Sequence, residues 1–413
     1  MASRYDDLTG PREPLAAAMV SAVRDATDFS LVLGGPLFQL LRRTHMSGDA
    51  LELARRRVVV VSLFAWLPLL VLSTLQGLTV GESETVPFLG DVEVHLRFLV
   101  ALPLLVAAEI LVHARLRPVA RQFLDRRLIP ETAVPQFDAA LVSAFRLRNS
   151  IIAELLLIAL VYGVGTLLLW RRYFVLDTSI WYAVSTPEGP KLSLAGLWYG
   201  YISLPLFQFL LLRWYFRLFI WTRFLWHVSR INLNILPTHP DGVGGLGFMA
   251  QTVYAFVPLL VAHGVLLSGM IADRIFNAQM TLLDFKAEIA VVLIFLLCLV
   301  LGPLLMFAPK LAQAKRTAIR EYGALAQRYA REFDTKWVRD GAPSHEPLLG
   351  SADIQSLADM GNSFEVVRTM RAAPLTRDAV LGLAVAVLAP LLPLALTMMS
   401  MEELMQRLFK IVF

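Results

Sequence analysis

Glu109 and His113 are the two residues of this sequence whose types and spacing best suit chemistry inside a hydrophobic segment. They are four positions apart, so a helix would present both side chains on one face. A carboxylate beside an imidazole can bind a metal ion or relay a proton, and a carboxylate within a membrane segment is a functional candidate by default. The alternative is a structural ion pair between Glu109 and nearby arginines, which the number of arginines at this depth favours.

Two further ionisable side chains, Glu154 and His263, lie in hydrophobic segments. Glu154 is at a depth similar to that of Glu109 and has the same two interpretations. His263 is near the middle of its segment, where a histidine more often forms a hydrogen bond with a neighbouring helix than binds a ligand. The arginines available to pair with the two glutamates are Arg115, Arg146, Arg213 and Arg217.

A glycine-rich stretch forms the second candidate site. Its residues of interest are His239, Asp241, Gly242, Gly244, Gly245 and Gly247. Three of the glycines have G-x-G-x-x-G spacing, but a dinucleotide site needs a preceding strand and a following soluble helix, whereas hydrophobic segments flank this stretch. The pattern therefore favours a tight turn in which glycines adopt positive φ. A small anion site built from backbone N–H groups is the remaining alternative.

Aromatic residues at one end of three hydrophobic segments form the third candidate. They are His95, Tyr162, Trp170, Trp198, Tyr199 and Tyr201. Tyrosine and tryptophan commonly belt a membrane protein at the level of the lipid headgroups. The more specific alternative is a pocket for a small apolar ligand.

No motif for hydrolytic or phosphoryl-transfer catalysis occurs in the chain, so neither an enzyme nor a cofactor is predicted. The single cysteine, Cys298, lies in a hydrophobic run, which excludes a disulfide framework and a metal site made of cysteines. The net charge of +5 does not indicate a nucleic-acid partner, because the basic residues follow the loops between hydrophobic segments.

The composition is that of an all-α, multi-pass membrane protein whose main partner is the lipid bilayer. The 413 residues are 57% hydrophobic, and the mean hydropathy is +0.61. Seven segments are long enough to cross about 30 Å of hydrocarbon. They are approximately 58–80, 95–114, 150–170, 196–219, 250–272, 288–308 and 378–398.

The basic residues predict the orientation of these segments. With the N-terminus in the cytoplasm, 30 of the 38 lysines and arginines fall on the cytoplasmic side and 8 on the other. This is a strong positive-inside bias. Arginine greatly outnumbers lysine in an alanine- and leucine-rich chain, which indicates a bacterial inner-membrane protein.

The predicted domain organisation follows from these segments. The parts are a cytoplasmic N-terminal segment (1–57), a six-span bundle with helix extensions (58–309), a cytosolic helical base (310–377), a seventh span (378–398) and an outer tail (399–413). In the base, apolar residues recur at steps of three and four over 310–338 and again over 352–371, which predicts two amphipathic helices. The short apolar run 29–41 predicts an interfacial or re-entrant piece packed under the bundle.

The layout resembles the insect odorant and gustatory receptor type of seven-helix ion channel. The shared features are about 400 residues, seven spans, a cytoplasmic N-terminus, short outer loops and a last helix divided into a cytosolic and a membrane part. The resemblance implies a homotetramer held together by the cytosolic base, the last span of each subunit beside a central cation pathway, and a ligand pocket in the outer half.

Helical spacing then provides a candidate pore-lining face of the last span. Its residues are Val387, Leu391, Leu394 and Met398, with Thr397 beside them, although spacing alone does not distinguish this face from the opposite one. The leading prediction is an oligomeric, ligand-gated ion channel. A proton-coupled secondary transporter and a membrane scaffold that docks a cytosolic partner are the alternatives.

Overall fold

The computed structural model describes residues 21, 23, 26, 29–36, 54–80, 86–170, 180–186, 189–278, 280–339 and 351–398. Within these residues the chain is almost entirely helical. The first half contains α1 (Ala54–Leu75), α2 (Val92–Leu96), α3 (Leu102–Asp125), α4 (Val134–Arg148), α5 (Ile151–Leu160), the strands β1 (Ala183–Thr186) and β2 (Gly189–Leu192), α6 (Leu194–Trp198) and α7 (Leu204–Arg230).

The second half begins with a 3-10 segment, Gly247–Phe256, which leads directly into a long helix. Its helices are α8 (Val257–Ala278), α9 (Lys286–Leu305), α10 (Ala308–Phe333), α11 (Ala352–Thr369), α12 (Arg377–Leu388) and α13 (Leu392–Ala395). A short 3-10 turn, Ala389–Leu391, separates the last two helices. The prolines at 390 and 393 explain this break, because neither can donate a backbone hydrogen bond to the preceding turn.

The multi-pass, helical membrane architecture expected from the composition is confirmed. Within the described residues, six continuous helical stretches are long and apolar enough to cross a bilayer. They coincide with six of the seven predicted segments. The remaining segment, 150–170, comprises α5 and the π-helical stretch Val161–Trp170 that follows it. Its part Ile151–Gly165 is bent by 47° relative to Glu131–Arg148, and the pair adds a seventh span if it is counted as one.

Two of the spans contain a wide π turn just before a proline. Residues Arg97–Ala101 precede Pro103 at the start of α3, and residues Tyr199–Ser203 precede Pro205 at the start of α7. A proline inside a helix lacks the N–H group and its ring collides with the carbonyl one turn earlier. The wider turn relieves this collision and lets each span continue across the bilayer.

Helix α8 is at the centre of the bundle and packs against α2, α3 and α12. The hydrophobic stretch of this span is 67% buried, whereas the corresponding stretches of the other five spans are between 22% and 44% buried. The outer spans expose large apolar side chains that the bilayer can cover.

Several chain segments meet at one end of the bundle, which we call the basic end. Asn234, after α7, donates its backbone N–H to the carbonyl of Leu128, after α3, over 2.8 Å. Lys310 at the start of α10 donates to the carbonyl of Ile231. The short antiparallel pair β1–β2, with Ala183 opposite Leu192, lies at the other end, which we call the hairpin end. Sequence analysis treats this pair as a plain loop, because four-residue strands are too short for a recognisable alternation.

The two predicted amphipathic helices of the base are confirmed as α10 and α11, which pack against each other and which we call the helical base. The side chain of Ser351 caps α11 by accepting a hydrogen bond from the backbone N–H of Asp353. Near the bundle Leu311, Ala318 and Val367 are buried, whereas farther along the apolar residues of both helices are half-buried or, as at Leu325 and Ile354, exposed. The base is therefore anchored firmly at its bundle end and more exposed farther along. The predicted end of the first helix at 341–343 lies outside the described residues.

Gly264 marks the closest approach between α8 and the last span. A Cβ atom built at this position would lie 2.2 Å from the carbonyl oxygen of Val387 and 3.0 Å from the ring of Pro390. The first neighbour is backbone, which cannot rotate away. The two helices can therefore pack at this distance only because residue 264 has no side chain.

We expect Gly264→Ala to destabilise the protein by about 1–3 kcal/mol, because the added methyl group forces α8 and α12 apart. The measurement is the thermal unfolding midpoint in mild detergent. Gly302→Ala is the matched control, since a Cβ atom there would meet nothing within 4 Å. Equal midpoints for the two variants would contradict the close packing described here.

Candidate functional site

The segment between the helical base and the last span is seven residues long, Met370–Thr376, and we call it the joint. It begins where α11 ends at Thr369 and stops where α12 begins at Arg377. The side chain of Thr376 caps α12 by accepting from the backbone N–H of Ala379 over 3.1 Å. The joint is thus a short connection that leads directly into a capped helix.

Arg371 holds the joint to the glycine-rich stretch. Its backbone N–H donates to the carbonyl of Gly242 over 2.8 Å, and its Nη2 donates to the carbonyl of Asp241 over 2.9 Å. Its Nη1 donates to the carbonyl of Leu375 within the joint, also over 2.8 Å. One side chain therefore connects the glycine turn, the end of α11 and the approach to α12.

A second contact fixes the joint to α10. Lys315 donates from Nζ to the carbonyl of Met370 over 2.7 Å. The side chain of Met370 is buried, and a Cβ atom on Gly244 would come within 3.3 Å of it and 2.2 Å of Ile235. The glycine at 244 therefore permits close packing between the turn and the joint.

The glycine-rich stretch is a compact turn organised around the carboxylate of Asp241. The carboxylate accepts hydrogen bonds from the backbone N–H groups of Val243, Gly245 and Gly247 over 2.9, 3.2 and 2.8 Å. His239 lies 3.0 Å away through its Nδ1 atom. The N–H groups that an external anion would need thus bind a carboxylate of the chain itself, in agreement with the tight turn that the sequence favours.

The surroundings of Asp241 stabilise its ionised form. Partial burial acts to raise the pKa of the carboxyl group, but the backbone N–H groups of Val243, Gly247 and Gly245 and the neighbouring His239 together lower this pKa below its usual range. The turn is therefore most stable when the carboxylate is charged, and it loses this contribution as the pH falls through the lowered pKa.

Three of the glycines have the positive φ that sequence analysis predicts. The φ angles are 65° at Gly242, 66° at Gly244 and 97° at Gly245. Gly247 has a different role, because a Cβ atom there would lie 2.9 Å from the side chain of Asp241. It lets the carboxylate approach the backbone.

Glu109 is buried among three guanidinium groups. It forms ion pairs with Arg57, with Arg217 at 2.6 Å and with Arg213 at 3.6 Å. Arg213 also lies 3.4 Å from Glu154. Of the four arginines predicted as partners of the two glutamates, Arg213 and Arg217 are confirmed for Glu109 and Arg213 is confirmed for Glu154. Sequence reasoning missed Arg57. This residue stands at the boundary of the first hydrophobic segment, where it was assigned to the predicted cytoplasmic N-terminal segment.

His113 does not join this cluster. Its Nδ1 atom is 2.9 Å from the hydroxyl oxygen of Ser30. Glu109 and His113 therefore do not form a common site, although a shared helix face was predicted for them, because each side chain has its own partner. Within the part of the chain that the structure describes, no three histidine, cysteine or acidic side chains come together as metal ligands.

His263 forms the hydrogen bond to a neighbouring helix that was predicted. Its Nε2 atom is 2.6 Å from the hydroxyl of Tyr215 on α7, and its Nδ1 atom is 2.7 Å from the carbonyl of Leu259. Because a carbonyl only accepts, Nδ1 carries the proton, and a neutral ring accepts at Nε2 from the tyrosine.

The five aromatic candidates whose side chains the structure describes fall into separate groups of contacts. His95 and Tyr199 belong to a buried cluster in which rings fill the space, whereas Trp198 packs on Phe64 with ring centroids 5.6 Å apart. Tyr162 and Tyr201 are exposed and meet each other, the hydroxyl of the first donating to the carbonyl of the second. The side chain of Trp170 lies outside the described residues.

Phe88 and Trp181 connect the buried members of this cluster. Their ring centroids are 5.0 Å apart, and those of Phe88 and His95 are also 5.0 Å apart. Trp181 packs on Tyr199 at 5.5 Å and donates from its indole nitrogen to Asp91 over 2.9 Å. Sequence reasoning missed Trp181, because it stands in a loop between spans rather than in a hydrophobic segment.

The face of the last span proposed to line a pore is turned toward the rest of the same chain. Val387, Leu391 and Leu394 are 0%, 6% and 6% exposed. Leu391 and Leu394 pack with Leu267 and Ile271 of α8. Thr397 is exposed, and the side chain of Met398 lies outside the described residues.

The opposite face of the last span is the one that other molecules can reach. Leu381, Val385, Leu392 and Leu396 are all exposed, Leu392 to 67%. The two faces have similar composition, so only the packing of the span on α8 distinguishes them. A pathway between subunits would have to use this opposite face.

A cleft of about 520 Å³ separates α10 from the residues that follow α7. Its walls include Ile235, Lys310, Thr317 and Tyr322. Partial burial lowers the pKa of Lys310, and the nearby positive charge of Arg230 acts in the same direction. This cleft is at the basic end, whereas the predicted ligand pocket is at the hairpin end.

Comparison of the chain with protein-family models, with curated proteins and with solved structures gave no match.

We expect Glu109→Gln to destabilise the protein by about 3–5 kcal/mol, because it leaves three buried guanidinium groups with much less compensating charge. The measurement is the free energy of unfolding in detergent mixtures. Glu365→Gln is the control: this glutamate pairs with Arg368 on the exposed surface of α11, where the loss should stay within about 0.5 kcal/mol. A cost for Glu109→Gln as small as that of the control would argue against the cluster.

Proposed function

We propose that this protein is an oligomeric, channel-like protein of a bacterial inner membrane. In this proposal it has seven spans, with the N-terminus and the helical base in the cytoplasm, and the last span of each subunit lies beside a central ion pathway. The observation that carries the proposal is the joint, which connects the base to the last span through a short and well-bonded segment. The resemblance in layout to seven-helix channels supports a tetramer.

The joint can transmit a movement of the base because it is bonded at its start and near its end. Lys315 of α10 holds Met370 at the start, and the side chain of Arg371 donates to Leu375 near the end. A displacement of α11 that keeps these contacts must carry the start of α12 with it. The 3-10 break at 389–391 supplies a point at which the outer part of the span can bend.

The exposed face of the last span supports a pathway between copies of the chain. It is apolar over its length, with Leu381, Val385, Leu392 and Leu396 along it. Such a face contacts either lipid or another subunit, and we assign it to the latter. A narrow apolar lining would close by losing its water and open when the helices move apart.

The polar residues of the spans give less support to a proton-coupled carrier. Glu109 is held by three guanidinium groups, and His263 has partners at both ring nitrogens. A carrier needs an ionisable group that is free to exchange its proton. We therefore assign these residues to structure. Gating by a small apolar ligand stays a prediction.

Cysteine substitution on the two faces of the last span tests the pathway. In a Cys298→Ser background, Val385→Cys and Leu392→Cys should allow a cationic thiol reagent to reduce unitary currents in planar bilayers, because these side chains face the proposed pathway. Val387→Cys is the control, since this position is covered by α8. A monomeric particle in mild detergent, or a protein without unitary currents, would overturn the proposal.

The coupling through the joint has its own test. We expect Arg371→Ala to change the open probability by about 5-fold or more, the lower end of common coupling between sites, because it removes the guanidinium hydrogen bonds to Asp241 and Leu375 and leaves only the backbone bond to Gly242. Arg368→Ala is the control. Arg368 is an exposed arginine near the end of α11, and in the described structure it pairs only locally with Glu365. If both variants gate like the parent protein, the joint does not couple the base to the span.

A further inference from the structure

Residues 29–36, which we call the N-terminal strap, lie inside the basic end of the bundle rather than on its surface. Phe29, Leu31 and Val32 are buried, and so is the hydroxyl-bearing Ser30. The strap is not part of a long helix. The residues that surround it belong to α3, α4 and α7, which are far from it in sequence. A short, largely non-helical segment, bent by hydrogen bonds from the N–H groups of Val32 and Leu33 to the Ser30 hydroxyl, thus occupies a groove that helices from elsewhere in the chain have formed.

Phe29 anchors the strap in an aromatic recess. Its ring centroid is 5.0 Å from that of Phe224, and 6.1 Å from those of Trp221 and Phe145. Two of these rings belong to α7 and the third to α4. Contacts at this spacing are favourable for aromatic rings and bury a large apolar area at a single position.

Hydrogen bonds hold the strap to the groove at two places after this anchor. Arg148 donates from Nη1 to the carbonyl of Ser30 over 2.7 Å, and the hydroxyl of Ser30 meets Nδ1 of His113 at 2.9 Å. Farther along, the backbone N–H of Gly35 donates to the side-chain oxygen of Asn149 over 3.0 Å. The groove therefore recognises main-chain atoms as well as one aromatic ring.

Two glycines bring the strap against the buried ion pairs. Gly34 and Gly35 have φ angles of 135° and 88°. A Cβ atom on Gly35 would lie 3.0 Å from the carbonyl of Arg148, 3.2 Å from a carboxylate oxygen of Glu154 and 3.8 Å from Nη2 of Arg213. The strap thus covers the ion pair of Arg213 and Glu154 from the basic end.

The helix ends beside the strap are capped by their own residues. Asn149 ends α4 with a backbone hydrogen bond to Phe145, and Ser150 caps α5 by accepting from the backbone N–H of Ala153. Withdrawal of the strap would leave Arg148 and Asn149 at the end of the bundle, where water can replace the lost hydrogen bonds. Local opening of such a segment requires much less than unfolding of the bundle.

We propose that residues 29–36 are a reversible, autoinhibitory strap, an intrachain peptide ligand that docks between α3, α4 and α7 and closes the basic end over the Arg213–Glu154 ion pair. Undocking exposes this pair to water. The inhibitory role rests on the proposed channel function. The docking itself does not.

Thiol labelling of Ser30→Cys in a Cys298→Ser background tests the docking. Ser30 is 3% exposed, so the introduced thiol should react slowly with a maleimide in the folded protein. Adding Phe29→Ala should speed the labelling by at least about tenfold, because the strap loses its anchor and opens more often. Val23→Cys, at a position 41% exposed, should label quickly with or without Phe29→Ala. Phe219→Ala, at an exposed phenylalanine of α7, is the matched control and should leave the labelling of Ser30→Cys slow.

Three outcomes would overturn the proposal. Labelling of Ser30→Cys as fast as that of Val23→Cys would show that the strap is not docked. Unchanged slow labelling with Phe29→Ala, and likewise with Gly35→Val, would show that it does not open as a unit. Loss of the folded oligomer with Phe29→Ala and also with Gly35→Val would show that the segment belongs to the indispensable core.

Measurement of unitary currents distinguishes the strap proposal from the channel proposal. Phe29→Ala should raise the open probability, and an unchanged value would contradict autoinhibition even if the labelling behaves as expected. A parent protein without currents would contradict the channel proposal alone, because the labelling result does not depend on conduction.

Discussion

The burial of charge between apolar helices is the constraint on which the rest of this structure depends. Glu109 of α3 joins Arg57 at the start of α1 to Arg213 and Arg217 of α7, and Arg213 also reaches Glu154 of α5. A charge in so apolar a place is tolerated only when its partners are fixed in position. The cluster therefore specifies how four helices are arranged, whereas their apolar surfaces alone would permit many arrangements.

Two smaller polar systems at the basic end extend this arrangement. The carboxylate of Asp241 accepts hydrogen bonds from the N–H groups of its own turn. The carbonyls of Asp241 and Gly242 accept from Arg371. The strap uses Asn149 and Arg148 in a comparable way. In both cases glycines with positive φ bring backbone close to a neighbouring element, and polar side chains then hold the contact.

The helical base is attached to the last span by contacts of the same kind. Away from the bundle the apolar side chains of α10 and α11 stay half-buried or exposed. The joint connects these helices to α12 and is bonded to α10 through Lys315 and to the glycine turn through Arg371. Farther along, Gly264 of α8 lies in close contact with the backbone of Val387 in the same span. The last span is thus fixed at the joint and at this crossing point.

The sequence by itself determined the helical membrane class, the places of the hydrophobic spans and the two helices of the base, because hydrophobic length and periodicity are local properties. It also indicated that Glu109 would pair with arginines, offering Arg115, Arg146, Arg213 and Arg217, and that the glycine stretch would be a turn. Only the tertiary structure decided that Arg213, Arg217 and Arg57 are the partners, that His113 turns to Ser30 and that Val387 packs on α8. The physical reason is that helix spacing shows which residues share a face, but the partner of that face is chosen by contacts between residues distant in the chain.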